Sequence, residues 1–304
     1  LDWIGVVTLT VAVCALQMML DRGQSQDWFE STEIVIEGVL AAMAMYLFVA
    51  HCLTGREPYL NLAIFKDRNF VVGLMLIFVF GICAFSTMLV LPLFLQTVQA
   101  YPVLTAGWVL SARGIGTMTA MMSGGILADR FPASYLIWIG LACLMVSNGW
   151  MTTWNAQVGA GEVVWATVLS GFGMGMMWVT LTTVTFSTLP GHFRVEAAAL
   201  FALVRAVGAS AGTSVVIALL VHSSQVNYIE LRENISPFSE YMRESARLSI
   251  LTTESTSGLM SLYQIVIEQA RVIGFVNVYV FLSIISILAM PLVLLLRTQR
   301  SVKT

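Results

Sequence analysis

Followed for its apolar and polar positions, the chain is a series of long apolar runs separated by short polar breaks. Eight runs are close to or above the roughly 20 residues that a helix needs to cross a hydrocarbon core about 30 Å thick. They cover approximately 3–20, 34–53, 70–98, 103–128, 133–154, 162–188, 197–222 and 273–297. No segment alternates in polarity with the period of two of a lipid-facing strand, so the runs predict helices and exclude a transmembrane barrel. The third run is long enough to tilt, and Pro92 near its end is a candidate kink. The one sizeable polar stretch is 223–272, expected as a loop broken by Pro237 and Gly258. Two short amphipathic helices fit within it, near 239–250 and 259–272.

Composition turns this pattern into a statement about solvent. Of 304 residues, 58% are apolar and 11% charged, the latter less than half of the roughly 25% usual in soluble domains. Mean hydropathy is +0.85. A globule of this size cannot hide so much apolar surface from water, so the surrounding solvent is lipid. Only 15 Lys and Arg residues are present, with no basic stripe, which argues against a nucleic-acid partner. Cys14, Cys52, Cys83 and Cys143 lie far apart inside apolar runs, and His51, His192 and His222 sit at scattered run ends. Neither a disulfide framework nor a metal site is expected. Leu1 already lies at the edge of the first run, and no signal peptide is apparent. The expectation is a piece whose N-terminal part precedes it.

The positions of the charges orient the spans. One set of connections carries Arg56, Lys66, Arg68, Arg130, Arg194, Arg297, Arg300 and Lys303; the other carries Arg22, Arg232, Arg243, Arg247 and Arg271. The positive-inside rule puts the first set, and with it both chain ends, in the cytoplasm. The two remaining basic residues, Arg113 and Arg205, fall within spans. An arginine in hydrocarbon costs about 2.5–3.5 kcal/mol on insertion scales, so each is expected to face a cavity, a carbonyl or an acidic partner. Arg205 is nearer a span end, where it has the alternative of snorkelling. The last six spans divide into two triplets, 70–154 and 162–297, and the middle helix of each carries arginine followed three residues later by glycine: Arg113 with Gly116, Arg205 with Gly208. An inverted-topology repeat would leave this pattern. Gly171 with Gly175, and Gly208 with Gly212, are spaced to form small faces for close helix packing. Gly171, Gly173 and Gly175 lack the preceding strand of a dinucleotide loop.

Several motifs in order carry a family resemblance. Leu20-Asp21-Arg22-Gly23 with Asp27-Trp28-Phe29 is followed by Pro58, Leu62, Phe65-Lys66 and Arg68-Asn69-Phe70. Next come Leu91-Pro92 with Leu95-Gln96, Ala106-Gly107 and Gly125-Ile126-Leu127-Ala128-Asp129-Arg130. Arg205-Ala206-Val207-Gly208, with Ser210 and Gly212, completes the series. Together they resemble the 14-span drug/proton antiporters of the EmrB/QacA type, in the major facilitator superfamily. The likeness covers essentially the whole chain. It implies an all-α polytopic membrane protein whose eight transmembrane helices form the C-terminal half of a major-facilitator fold. Residues 1–66 would be two linker helices and 67–304 the C-terminal six-helix bundle, with the long extracytoplasmic loop at about 223–272. Gly125, Asp129 and Arg130 match a cytoplasmic gating motif. In it glycine lets two helices approach, and the Asp129 carboxylate meets the N-terminal dipole of the next helix. Trp28 is expected as an interfacial anchor.

The function implied is export of hydrophobic or amphipathic small molecules in exchange for protons, by alternating access. No cofactor is expected besides the coupling proton. The coupling acid and a six-helix N-terminal bundle would lie outside this chain, and a periplasmic adaptor is a further candidate partner. Arg113, Arg205, Gln96, Trp178, Thr182 and Phe85 are the candidate substrate or coupling residues. The location implied is the bacterial inner membrane. Two rivals stay open, a narrow-substrate natural-product exporter and a non-transporting receptor or scaffold of the same fold. An enzyme is not expected, since the chain has no paired carboxylates, nucleophile elbow or metal constellation.

Overall fold

The computed structural model describes residues 2–54, 60–128, 130–234 and 256–296. Among these residues every regular element is helical. The long helices are α1 (Trp3–Arg22), α2 (Thr32–Thr54), α3 (Arg68–Thr97), α4 (Val103–Ala128), α5 (Ala133–Met151), α6 (Ala160–Ser187), α7 (Arg194–Asn234) and α8 (Thr256–Val293). Seven are long and apolar enough to cross a membrane. The eighth, α4, has 26 residues but also five glycines, three threonines, two serines and Arg113, which lower its hydropathy.

Starts and reversals follow local chemistry. The Asp2 carboxylate accepts from the Gly5 N–H at the head of α1 (2.9 Å), and Asp67 does the same for Phe70 at the head of α3 (2.9 Å). The same Asp67 oxygen accepts from the Thr188 hydroxyl (2.8 Å), which ties the start of α3 to the end of α6. Between α1 and α2 the chain reverses through Asp27 and Trp28, both left-handed (φ 54° and 52°). A left-handed tryptophan is strained. Its ring lies against Gly23, where a Cβ would come within 2.7 Å, and its indole N–H donates to the Gln24 side chain (3.2 Å). Trp28 is therefore half-buried on its own hairpin. Arg22 pairs with Glu33 across the hairpin at 2.5 Å.

Six helices build one bundle. α4 packs along α6 and α7 along α3, while α5 and α8 lie outside them, against α6 and α7 and against each other. The α1–α2 hairpin attaches through α1, which lies on α7, where the Ser214 hydroxyl donates to the Leu20 carbonyl. One apolar core joins Phe70, Leu76 and Ile77 to Leu181, Val184 and Phe201. Another, toward the end of α3, stacks Phe94, Trp154, Phe275 and Tyr279. Pro92 stays within a continuous α3.

The first six expected spans agree with α1–α6 to within three residues at each boundary. The last two do not. The stretch 223–272, expected as a loop, is helical over 223–234 and 256–272, where it continues α7 and begins α8. The expected short helix at 259–272 is the first part of α8, and that at 239–250 lies outside the described residues. At about 1.5 Å per residue, helices of 41 and 38 residues are about twice as long as a 30 Å core requires. They extend because leaving lipid ends the apolar pattern but not the hydrogen-bond ladder. The two also support each other beyond the core, where the Asn277 amide donates to Ser223 and the Tyr228 and Tyr263 rings meet edge to face at 6.2 Å.

Candidate functional site

The α4–α6 and α3–α7 crossings repeat one set of contacts. A Cβ on Gly171 would lie 2.2 Å from the Arg113 carbonyl oxygen, and one on Gly81 would lie 2.5 Å from that of Arg205. Reciprocally, a Cβ on Gly116 would lie 2.1 Å from the Val168 oxygen, and one on Gly208 would lie 2.4 Å from that of Phe78. Val168 precedes Gly171 by three residues, as Phe78 precedes Gly81. Each middle helix thus seats its arginine-glycine pair on the first helix of the other triplet, the arrangement expected of an inverted repeat. Gly175, 2.6 Å from the Thr117 oxygen, and Gly212, 2.7 Å from the Ile82 Cα, extend the two contacts. All four glycines expected at helix faces lie where only hydrogen fits.

These crossings hold the backbones of both arginines while the side chains turn to one open cavity of about 330 Å³, lined by α3, α4, α6 and α7. Arg113 donates to the Ala84 carbonyl (3.2 Å) and contacts the Met174 sulfur. Arg205 does not snorkel. Its guanidinium lies over the rings of Phe85 (5.8 Å) and Trp178 (5.6 Å), a cation–π arrangement. Neither arginine forms an ion pair among the described residues. Phe80 stacks on Trp178 at 5.5 Å, and Met88, Met121 and Met174 supply most of the remaining wall. The site is a cationic, aromatic and thioether-lined cavity, suited to varied apolar groups.

Of the candidate residues, Arg113, Arg205, Phe85 and Trp178 come together here. Thr182 does not line the cavity; one turn beyond Trp178, its hydroxyl donates to the Trp178 and Val179 carbonyls. Gln96 is exposed near the far end of α3, also away from the cavity. Thr117 and Met121 were not anticipated, though their spacing from Arg113 by four and eight residues marks one face of α4. In the loop motif, Asp129 lies outside the described residues, and Arg130 is exposed with its N–H on the Leu127 carbonyl (3.0 Å). Gly125 corrects an expectation, because a Cβ there meets open space. Its neighbour Gly124 is the buried one, facing the Met176 sulfur at 3.3 Å. The helical phase rotates Gly125 away from α6. Among the described residues no cluster of His, Cys, Asp and Glu is placed to hold a metal ion.

Comparison with known proteins agrees with this architecture. The chain is 30% identical over 96% of its length to the fatty acid resistance protein FarB of Neisseria gonorrhoeae, covering 58% of that protein. It is 29% identical over 79% of its length to the multidrug export protein EmrB of Escherichia coli K12, covering 47%. To the lincomycin resistance protein LmrB of Listeria monocytogenes it is 24% identical over 78%, covering 50%. The chain thus spans about half the length of the relatives it matches. Its fold is similar to that of a bacterial homologue of the human lysosomal transporter Spinster, crystallised inward-facing and occupied. The TM-score is 0.53 at 13% identity, over 86% of this chain and 57% of that one. The Major Facilitator Superfamily profile matches residues 3–213, and the chain belongs to that superfamily of multi-pass membrane transporters.

Proposed function

We propose that this chain forms the linker hairpin and C-terminal bundle of a proton-coupled efflux transporter for hydrophobic or amphipathic small molecules. The observation that carries the reading is the cavity between α3, α4, α6 and α7, which brings two arginines at membrane depth together with aromatic and methionine side chains. A receptor or scaffold gains nothing from holding two half-buried cations that have no acidic partner among the described residues. The names of the relatives, with fatty acid resistance, multidrug export and lincomycin resistance among them, support export of apolar compounds.

On this reading α4 faces a second bundle. Leu104, Trp108, Ile115, Met118 and Met122 repeat along its outer side at intervals of three to seven residues, and all are well exposed. A carboxylate from that bundle would pair with Arg113, and the arginine would lower the pKa of the acid and help it release its proton. Gly125, Asp129 and Arg130 would then gate the cytoplasmic side. Both chain ends would be cytoplasmic in a bacterial inner membrane, and the α7–α8 projection on the other side would be the place for a periplasmic adaptor to dock.

The test is a proton-coupling assay in everted vesicles carrying the full-length protein. After a proton gradient is formed, adding an exported compound should partly dissipate it, and collapsing the gradient should stop uptake into the vesicles. Uptake that continues unchanged without a gradient would overturn proton coupling.

A further inference from the structure

Arg205 lines two cavities. Besides the one already described it borders a second, of about 310 Å³, between α7 and the linker helix α1. Phe85 is the other residue common to both, so the cavities meet at the Arg205–Phe85 contact. Their walls differ in kind. On one side are Met88, Met121, Met174 and Trp178. On the other, Gln17 of α1 faces Ser210 and Thr213 of α7 across small alanines.

Counting donors sharpens the contrast. A guanidinium has five N–H donors and a glutamine amide two. Among the described residues Arg205 has only ring faces as partners, and the Gln17 amide has no hydrogen bond. The Thr213 hydroxyl is turned to the Ala209 and Ser210 carbonyls (both 3.0 Å). No Asp or Glu lines either cavity, while Arg113 adds a second cation to the first. A pair of adjoining cavities, one mainly aromatic and thioether-lined and one with a larger polar share, with positive charge at their junction and unpaired donors among their lining residues, is complementary to an anion with an apolar tail. Each cavity alone is at the lower end of the roughly 300–1,000 Å³ typical of ligand sites, and the two together fall well within it.

We infer that this junction is a headgroup site for a single-chain anionic amphiphile, its carboxylate held by Arg205 and Gln17 beside α1 and its chain in the methionine and aromatic cavity. The inference rests on the export reading and adds to it the charge of the substrate, with a binding role for the linker hairpin. The planar fork of arginine matches a carboxylate in two-point contact. Phe85 and Trp178 hold the guanidinium by its face, which leaves its edge donors free. Arg205 is then the specificity-determining residue: a cation is repelled by both arginines, and a neutral alcohol leaves the fork unpaired.

The test is equilibrium binding of labelled dodecanoate to the purified chain in phosphatidylcholine nanodiscs, above empty discs, with dodecanol and dodecyltrimethylammonium as competitors. Unlabelled dodecanoate should compete at least about tenfold better than either, the ratio expected for a charge-assisted hydrogen bond. Arg205→Gln should abolish that preference by weakening dodecanoate at least about tenfold, Arg205→Lys should retain part of it, and Gln17→Leu should weaken dodecanoate about three- to tenfold. Equal competition by dodecanol, or stronger competition by the cation, overturns the inference on the unmodified chain alone. Displacement of dodecanoate by phosphatidylglycerol in the disc overturns the single-chain assignment in favour of a lipid headgroup. Arg205-dependent binding without export by the full-length protein would sink the export reading and leave this site standing. Proton-coupled export that is indifferent to substrate charge and to Arg205→Gln would do the reverse.

Discussion

At the scale of single residues, the chemistry of this protein is set by cations placed where they are costly. Arg113 satisfies one donor on the Ala84 carbonyl and presents the rest of its fork to the cavity. If it serves a coupling carboxylate, charge and planarity both count. In the full-length protein, Arg113→Ala should reduce proton-coupled export to background, Arg113→Lys should retain part of it, and binding of a neutral substrate should survive better than transport. Normal export with the normal pH dependence in Arg113→Ala, measured in vesicles, would make the arginine structural. Both arginines are legible in the sequence as charges inside apolar runs. Their sharing one cavity with Phe85 and Trp178 is not, because the four side chains come from four helices. Thr182 and Gln96 show the converse, since their residue type suits a polar site but their positions along α6 and α3 place them beyond it.

At the scale of elements, glycine decides which helices touch. A methyl group on Gly116 or Gly171 would meet a carbonyl oxygen at 2.1 or 2.2 Å, whereas one on Gly107 or Gly125 meets nothing within 4 Å. Gly116→Ala and Gly171→Ala should therefore destabilise the purified chain by about 1–3 kcal/mol, the usual cost of overpacking. Gly107→Ala and Gly125→Ala should be neutral or stabilising by up to about 1 kcal/mol through helix propensity. Thermal unfolding in detergent, followed by circular dichroism, separates the two classes. The long helices make a second prediction. Amides of 223–232 and 260–272 should exchange slowly with solvent deuterium, as in a paired helical hairpin, whereas a loop would exchange within seconds. Hydropathy located the spans because burial in lipid demands apolar side chains. It missed these extensions because a helix leaving lipid keeps its backbone bonds while its side chains become polar.

For the whole molecule, the proposed orientation would have the eight helices bring both chain ends to the cytoplasmic side, as the uneven distribution of basic residues favours. Cysteines placed at exposed positions such as Ile229 or Tyr263 should react with membrane-impermeant thiol reagents from outside the cell. Cysteines beside Arg130 or Arg194 should react only after the membrane is opened. The reverse pattern would invert the proposed orientation. The repeated crossings also bear on motion. Because α4 is seated on α6 and α7 on α3 through backbone contacts, the six-helix bundle should move as one body against the second bundle of the proposed transporter.

The sequence by itself determined the solvent, the helical class, six of the eight spans within a few residues, and the glycine faces. These properties are local or periodic: apolar length sets a span, and a spacing of four sets a helix face. The ordered motifs also carried the family resemblance. Only the tertiary structure decided that α4 crosses α6 while α7 crosses α3, that Gly124 and not Gly125 faces a neighbour, and that Arg205 turns from the span end to the rings of Phe85 and Trp178. The physical reason is that these depend on the rotational phase of one helix against another. That phase is set by close-packed contacts between segments some fifty to a hundred and thirty residues apart in the chain, which no single run of sequence contains.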